Sequence, residues 1–385
     1  MRTRTVLASL IVCFCLHVGH AAVTVGTCQS AKHPYTTISE GIAAVAAGGV
    51  VNVCPGVYAE QLEIDKPITV QGIVVANQPG VTIIPPSSGL NSLPAGSGFY
   101  PQIFVNSAGG TVHLSNLSVN ANGALINMVG YSSPPSYLCV GGELEDFSGV
   151  YVLNTEVILD HLNVANQFAS ILSGGDESPI IIPNCGNGIE VQNSNGIGGS
   201  VQDSVVSNVG YHGIIASGSV NVSHNVVTGG AGARGVGISA GLGNVTDNMV
   251  TSSLYFIETQ GIQGGSVVRG NTVQSGIYGI EGAEKVLHNT LLNNAISISG
   301  VTQASDNLID APATYANPEC PSSEPCNNPT PPTVGIDLAC ADASLVRDNG
   351  IVGVGIGIAN LESGQSLSVT NLFANVGTTS TSCSQ

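Results

Sequence analysis

Ten positions fall into one column when the repeated segments of the chain are superposed: Asn116, His161, Asp203, His224, Asp247, Gly270, His288, Asp306, Asp348 and Thr370. Each stands one residue before a recurring position that is most often Asn. Side chains alternate faces along a strand, so the column is expected to point outward. His161, Asp203, His224 and Asp247 would then be successive rungs. A His set between carboxylates holds its proton more tightly and can serve as an acid or a base; His and Asp together can also hold a metal. The alternative is a row of solvated turn residues, because these residue types are common in turns.

A second set of chemistry-bearing residues is acidic. Glu143, Glu145, Asp146, Asp176 and Glu177 lie in two apparent insertions, 121–156 and 173–187. Insertions in stacked repeats gather on one face and can wall a cleft, where clustered carboxylates suit Ca2+. A solvated acidic loop is the other reading. Gly230, Gly232 and Gly235 satisfy GxGxxG, but no helical pattern follows, which argues for a tight turn and against a nucleotide site. HExxH is absent.

The elements that would position these residues follow from a repeat. Seven segments read Asn, any residue, apolar: Asn225/Val227, Asn248/Val250, Asn271/Val273, Asn289/Leu291, Asn307/Ile309, Asn349/Ile351 and Asn371/Phe373. Leu117/Val119, Leu162/Val164 and Ser204/Val206 fit with the Asn replaced. Short β-branched runs at a period of about 20 residues, with Gly between them, describe stacked β coils. No coil buries its own apolar side chains; stacking on the next does, at a rise of about 4.8 Å. The expected fold is all-β: a right-handed parallel β-helix of about ten or more coils. The inward Asn is expected to adopt a left-handed conformation and to bond to its equivalents above and below. At the amino-terminal end, Thr37-Ile38-Ser39-Glu40 is a capping box, and Ile38, Ile42 and Val45 share one helical face, which predicts a covering helix within about 28–49. A third insertion, 311–333, is Pro-rich.

Tyr35-Thr36-Thr37-Ile38, Pro55-Gly56-Val57-Tyr58-Ala59-Glu60 and Ile64-Asp65-Lys66-Pro67-Ile68-Thr69-Val70-Gln71-Gly72 resemble the N-terminal module of pectin methylesterase-like proteins. The Asn-x-apolar coils are similar to repeats of the same pectin-lyase-like superfamily, so the resemblance covers nearly the whole mature chain. It implies a right-handed parallel β-helix and extracellular polysaccharide as the partner. The superfamily's catalytic strings are only approached. Asp146-Phe147-Ser148-Gly149 is one residue short of the methylesterase Asp-Phe-x-x-Gly. Leu159-Asp160-His161 is similar to the pectate lyase Trp-x-Asp-His without its Trp.

Arg2 and Arg4 before the apolar run Val6–Leu16, with small residues at Gly19-His20-Ala21, read as a signal peptide over 1–21. The mature chain would be residues 22–385, one domain, secreted or periplasmic and monomeric, with no membrane span. Eight cysteines remain after cleavage, and an even count in an exported chain reads as disulfides. Sequence order suggests Cys28–Cys54, Cys139–Cys185, Cys320–Cys326 and Cys340–Cys383, among about 105 connectivities. Asn116, Asn221 and Asn244 begin glycosylation sequons. The full 385-residue chain has 8 Lys plus Arg against 25 Asp plus Glu, a net charge of -17, which excludes a nucleic-acid binder. Two functions follow: a non-catalytic rod contacting polysaccharide, or a polysaccharide lyase, hydrolase or esterase using the His/Asp column. The sparse Lys and Arg count against a lyase, which needs a cation to neutralise a uronate.

Overall fold

In the computed structural model, residues 22–30, 34–95, 97–107, 109–121, 124–126, 147–167, 169–171, 180–182, 186–194, 196–230, 235–251, 259–274, 276–315, 330–340, 345–361 and 370–383 are described. The expected signal peptide, and the pairings proposed for Cys139, Cys185, Cys320 and Cys326, lie outside them.

The chain winds through three parallel sheets of 12 strands each. Sheet I runs from Ala22–Val25 to Leu345–Arg347, sheet II from Gly56–Ala59 to Leu372–Ala374, and sheet III from Leu62–Ile64 to Thr378–Ser382. A coil visits I, II and III in turn and then pairs with the coil before it. This is the parallel β-helix that the repeat predicts, wound in the right-handed sense that parallel crossovers take. Inward residues of all three sheets, such as Val222, Val227 and Ile238, form one continuous core along the axis. The stack is roughly 50 Å long at the usual strand spacing.

The Asn positions form a ladder between sheets I and II. The Asn248 amide nitrogen donates to Asn271 Oδ1 at 2.9 Å and to Val222 O at 3.0 Å. Asn248 Oδ1 in turn accepts from the backbone and side chain of Asn225. The pattern repeats through Asn289, Asn307, Asn349 and Asn371, and Ser204 closes the lower end, its N–H donating to Asn225 Oδ1. One expectation is corrected. The left-handed residue is the one before each Asn or its counterpart, Leu162 or Ser204: His161, Asp203, His224, Asp247, His288, Asp306 and Asp348 all have φ between 50° and 58°. The Asn itself stands just before the sheet II strand, without a left-handed φ, and spends its amide on the ladder.

Sheet III holds a second column, of glycine. A Cβ on Gly213 would lie 2.4 Å from Val227 Cγ1 and 2.5 Å from Gly237 O; Gly237 and Gly261 repeat the geometry. Two inward residues in succession, as in Gly237-Ile238, turn the strand tightly, and only the first must lack a side chain.

The helix Ile38–Ala44 covers the first coils, with its capping box formed. It ends at Val45, inside the predicted span. Glu60, from the Pro55–Glu60 string, accepts hydrogen bonds from Ile38 N and Ser39 N at 2.8 and 3.0 Å, so this string is a helix clamp. Cys28–Cys54 and Cys340–Cys383 are bridged as sequence order suggests. The span 121–156 is less of an insertion than expected, because Ser148–Leu153 is a regular strand of sheet III. A small sheet, Ala124–Ile126, Ala169–Ile171 and Ile180–Ile182, links the two insertions. No helix of the described residues is long and apolar enough to cross a membrane.

Candidate functional site

The column His161, Asp203, His224 and Asp247 does line up, one residue per coil, on the outward side of the turn between sheets I and II. All four are exposed. His224 Nε2 approaches Asp247 Oδ2 at 3.9 Å, a contact between side chains that are 60% and 56% exposed. Such pairs are worth little in water. The residue types also have a backbone reason to be there, since Asn, Asp and His tolerate left-handed φ better than other side chains.

The neighbouring strands add a tighter group. His113 Nε2 donates to Asp160 Oδ2 at 2.9 Å, and His161 Nδ1 donates to Asp160 Oδ1 at 2.7 Å. Partial burial pushes the Asp160 carboxyl upward, but hydrogen bonds and charge from His113 and His161 more than reverse this and hold it below the usual range. With Nδ1 tied to the carboxylate, Nε2 is the ring nitrogen left for any further contact, on a side chain that is 60% exposed. Sequence reading found His161 but missed His113 and Asp160 as its partners. His113 and Asp160 are 47 positions apart, and they meet because consecutive sheet I strands carry them on the same outward face.

Sheet III presents a different outward surface. Its in-register row runs Tyr151, Glu190, Ile215, Ser239, Gln263, Glu281 and on to Asp337. Outward residues of sheets I and II range from half-buried, as at Ser200, Thr246, Thr228 and Thr272, to exposed, as at Asn221, Asn244, Val205, Met249 and Leu308. On sheet III, Tyr151 and Glu190 are buried, Ile215, Ser239, Glu281 and Asp337 are half-buried, and Gln263 is exposed. The row is therefore deepest at its Tyr151–Glu190 end. Tyr151 stacks between Phe99 and Phe104, with centroids 4.8 and 5.8 Å away.

Glu190 lies one rung further and is 6% exposed. Its carboxylate accepts from Ser148 Oγ at 2.7 Å, Asn187 Nδ2 at 2.9 Å and Gln192 Nε2 at 3.1 Å. Three neutral donors keep a buried carboxylate solvated in place of water. The next strand brings His212, whose Nδ1 accepts the Val236 N–H at 3.2 Å and whose ring lies 3.9 Å from that of Tyr211. Burial lowers its pKa to about 4, and the accepting Nδ1 fits a neutral ring with its proton on Nε2. Two functional groups, Glu190 and His212, were thus not singled out from sequence. The available signal was a charged residue between two core positions, Ile189 and Val191.

The His212 geometry sets a pH dependence. The unfolded imidazole takes its proton near pH 6.5, whereas the folded one waits until about 4. Between those values the unfolded state binds more protons, so stability is full above pH 6.5 and falls as pH drops towards 4. Wild type should lose roughly 2–3 kcal/mol more than His212→Gln over this window, read by denaturant unfolding at each pH. Parallel curves for the two proteins would refute the neutral, buried ring.

The carboxylates considered for Ca2+, Glu143, Glu145, Asp146, Asp176 and Glu177, lie outside the described residues. Among the described residues, no group of three or more His, Cys, Asp or Glu side chains is arranged to hold a metal ion.

No protein-family model matches the chain. No curated protein matches it either. Among solved structures, a pectin methylesterase from Aspergillus niger is 15% identical, covering 66% of this chain and 77% of its own, with a TM-score of 0.38. A GH136 lacto-N-biosidase from Eubacterium ramulus is 11% identical over 94% of this chain and 67% of its own, with a TM-score of 0.46. A pectin methylesterase from Erwinia chrysanthemi is 10% identical over 92% of each chain, with a TM-score of 0.27. Likenesses of this size carry no argument about activity.

Proposed function

We propose that this is an exported protein that holds extracellular polysaccharide along the outward row of sheet III. One observation carries the reading: at one end of that row consecutive rungs hold a buried aromatic, Tyr151, a buried carboxylate, Glu190, and the half-buried Ile215 and Ser239, a depression opening towards the exposed Gln263. A linear glycan needs a shallow trough lined with hydrogen-bonding groups at regular intervals. Rungs about 4.8 Å apart repeat at close to the advance of one sugar residue. Ser239, Gln263 and Glu281 offer such groups in register, and the Phe99–Tyr151–Phe104 stack closes one end of the row with an apolar wall.

The test is affinity electrophoresis through gels containing a panel of polysaccharides. At least one glycan should retard the wild-type protein, and Ser239→Trp, which fills the trough, should weaken that retardation at least tenfold. Retardation unchanged by Ser239→Trp removes sheet III as the binding face.

A second reading, a polysaccharide-active enzyme, is favoured by the Asp160 carboxylate held between two imidazoles. In it, His161 is the proton acceptor, and Asp203, His224 and Asp247 extend the same outward turn row as proton-transfer groups. An oriented base typically contributes about 10²–10⁴-fold to a rate, so His161→Gln should cut glycan turnover at least that far while leaving the unfolding midpoint in place. Equal turnover in the two proteins sinks the enzyme reading at this group.

A further inference from the structure

We infer that the trough on sheet III takes glycans without acidic groups. The inference rests on reading sheet III as the glycan face, and it concerns the ligand's charge. Among the described residues the cations of the rod are segregated by sheet. The outward row of sheet III carries Glu190, Glu281 and Asp337, and Glu63 stands exposed beyond the aromatic stack. Among the described residues it carries no Lys or Arg. Arg269, Lys285 and Arg347 all lie on sheet I, and Lys66 sits beside the capping helix, its Nζ donating to Ala43 O. Lys32 and Arg234 lie outside the described residues.

Recessed carboxylates are screened less than exposed ones, so their field reaches a chain lying over them. A polyuronate would set one carboxylate on nearly every rung of this row, with no guanidinium or ammonium to receive it. Protein sites that bind carboxylates supply such a group. Sugar hydroxyls, by contrast, both donate and accept. They can donate to the carboxylate of Glu281 and accept from the amide of Gln263, as an uncharged chain requires.

The experiment is a calorimetric titration, in EDTA, with soluble neutral polysaccharides and with the same polysaccharides oxidised at C6 to uronates. The neutral series should bind, and each oxidised partner should bind at least tenfold more weakly, with the gap closing as salt is raised. Gln263→Lys, which places an ammonium on the row, should narrow the gap at low salt by strengthening the oxidised series. Equal or tighter binding of the oxidised series by the wild-type protein overturns this inference and leaves the glycan face standing. Binding of neither series overturns the glycan face itself.

Discussion

Replacing Asn248 with alanine is expected to lower the unfolding free energy by about 3 kcal/mol. Asn248 is 2% exposed, and its side chain closes four hydrogen bonds, two to Asn225, one to Val222 O and one to Asn271 Oδ1. Asn225 Nδ2 keeps a second acceptor in Val201 O, and Asn271 Oδ1 keeps the Asn248 N–H. Asn225 N–H keeps nothing, whereas Val222 O, which lies in the sheet I ladder beside Val245 and Thr246, loses only its side-chain donor. Each buried polar group left unmade costs about 1–3 kcal/mol, and a small void adds to that. Asn248→Asp should be as damaging, because it removes the donor and buries a charge. Denaturant unfolding reads the effect. A loss below about 1 kcal/mol for Asn248→Ala would mean that the column is stacked without being wired together.

The second large effect belongs to the glycine column. In Gly237→Ala the new methyl would lie 2.3 Å from Val250 Cγ1 and 2.6 Å from Gly261 O. The valine can rotate; the carbonyl belongs to the next rung and cannot move without shifting its strand. Overpacking a core costs about 1–3 kcal/mol when side chains alone must give, so at least 3 kcal/mol is expected where backbone must give too. Gly80→Ala is the control, since nothing lies within 4 Å of its added carbon. Adding Val250→Ala to Gly237→Ala should restore only part of the loss, because the carbonyl contact persists. Full restoration would show that the inward valine, and not the stacking of glycine on glycine, sets the column.

How much of this was legible in the sequence depends on how far each feature is local. The ladder was, because a rung repeats every 18 to 23 residues over much of its length and its Asn sits at a constant offset from a core residue. The capping helix was, because Thr37 and Glu40 are three apart. The left-handed turn was placed one residue too late: an Asn looks like the natural occupant, but its amide is worth more inside the stack. Glu190 escaped notice because Gly188-Ile189-Glu190-Val191-Gln192 reads like any other rung. Whether an outward position is recessed depends on the turns of several coils at once, and no periodicity within one strand carries that. His113 and Asp160 escaped for a related reason, since their meeting depends on the length of the coil between them.

The account stands on sheet III being the face that meets glycan. Hydrogen-exchange mass spectrometry of the protein with and without a polysaccharide that retards it in gels measures this directly. Slowed exchange is predicted in the sheet III strands Asn187–Gln192, Val236–Ala240, Gln260–Gly264 and Tyr278–Glu281. Protection confined instead to the turns at His161, Asp203, His224 and Asp247 would contradict it and move the site to the opposite side of the coil.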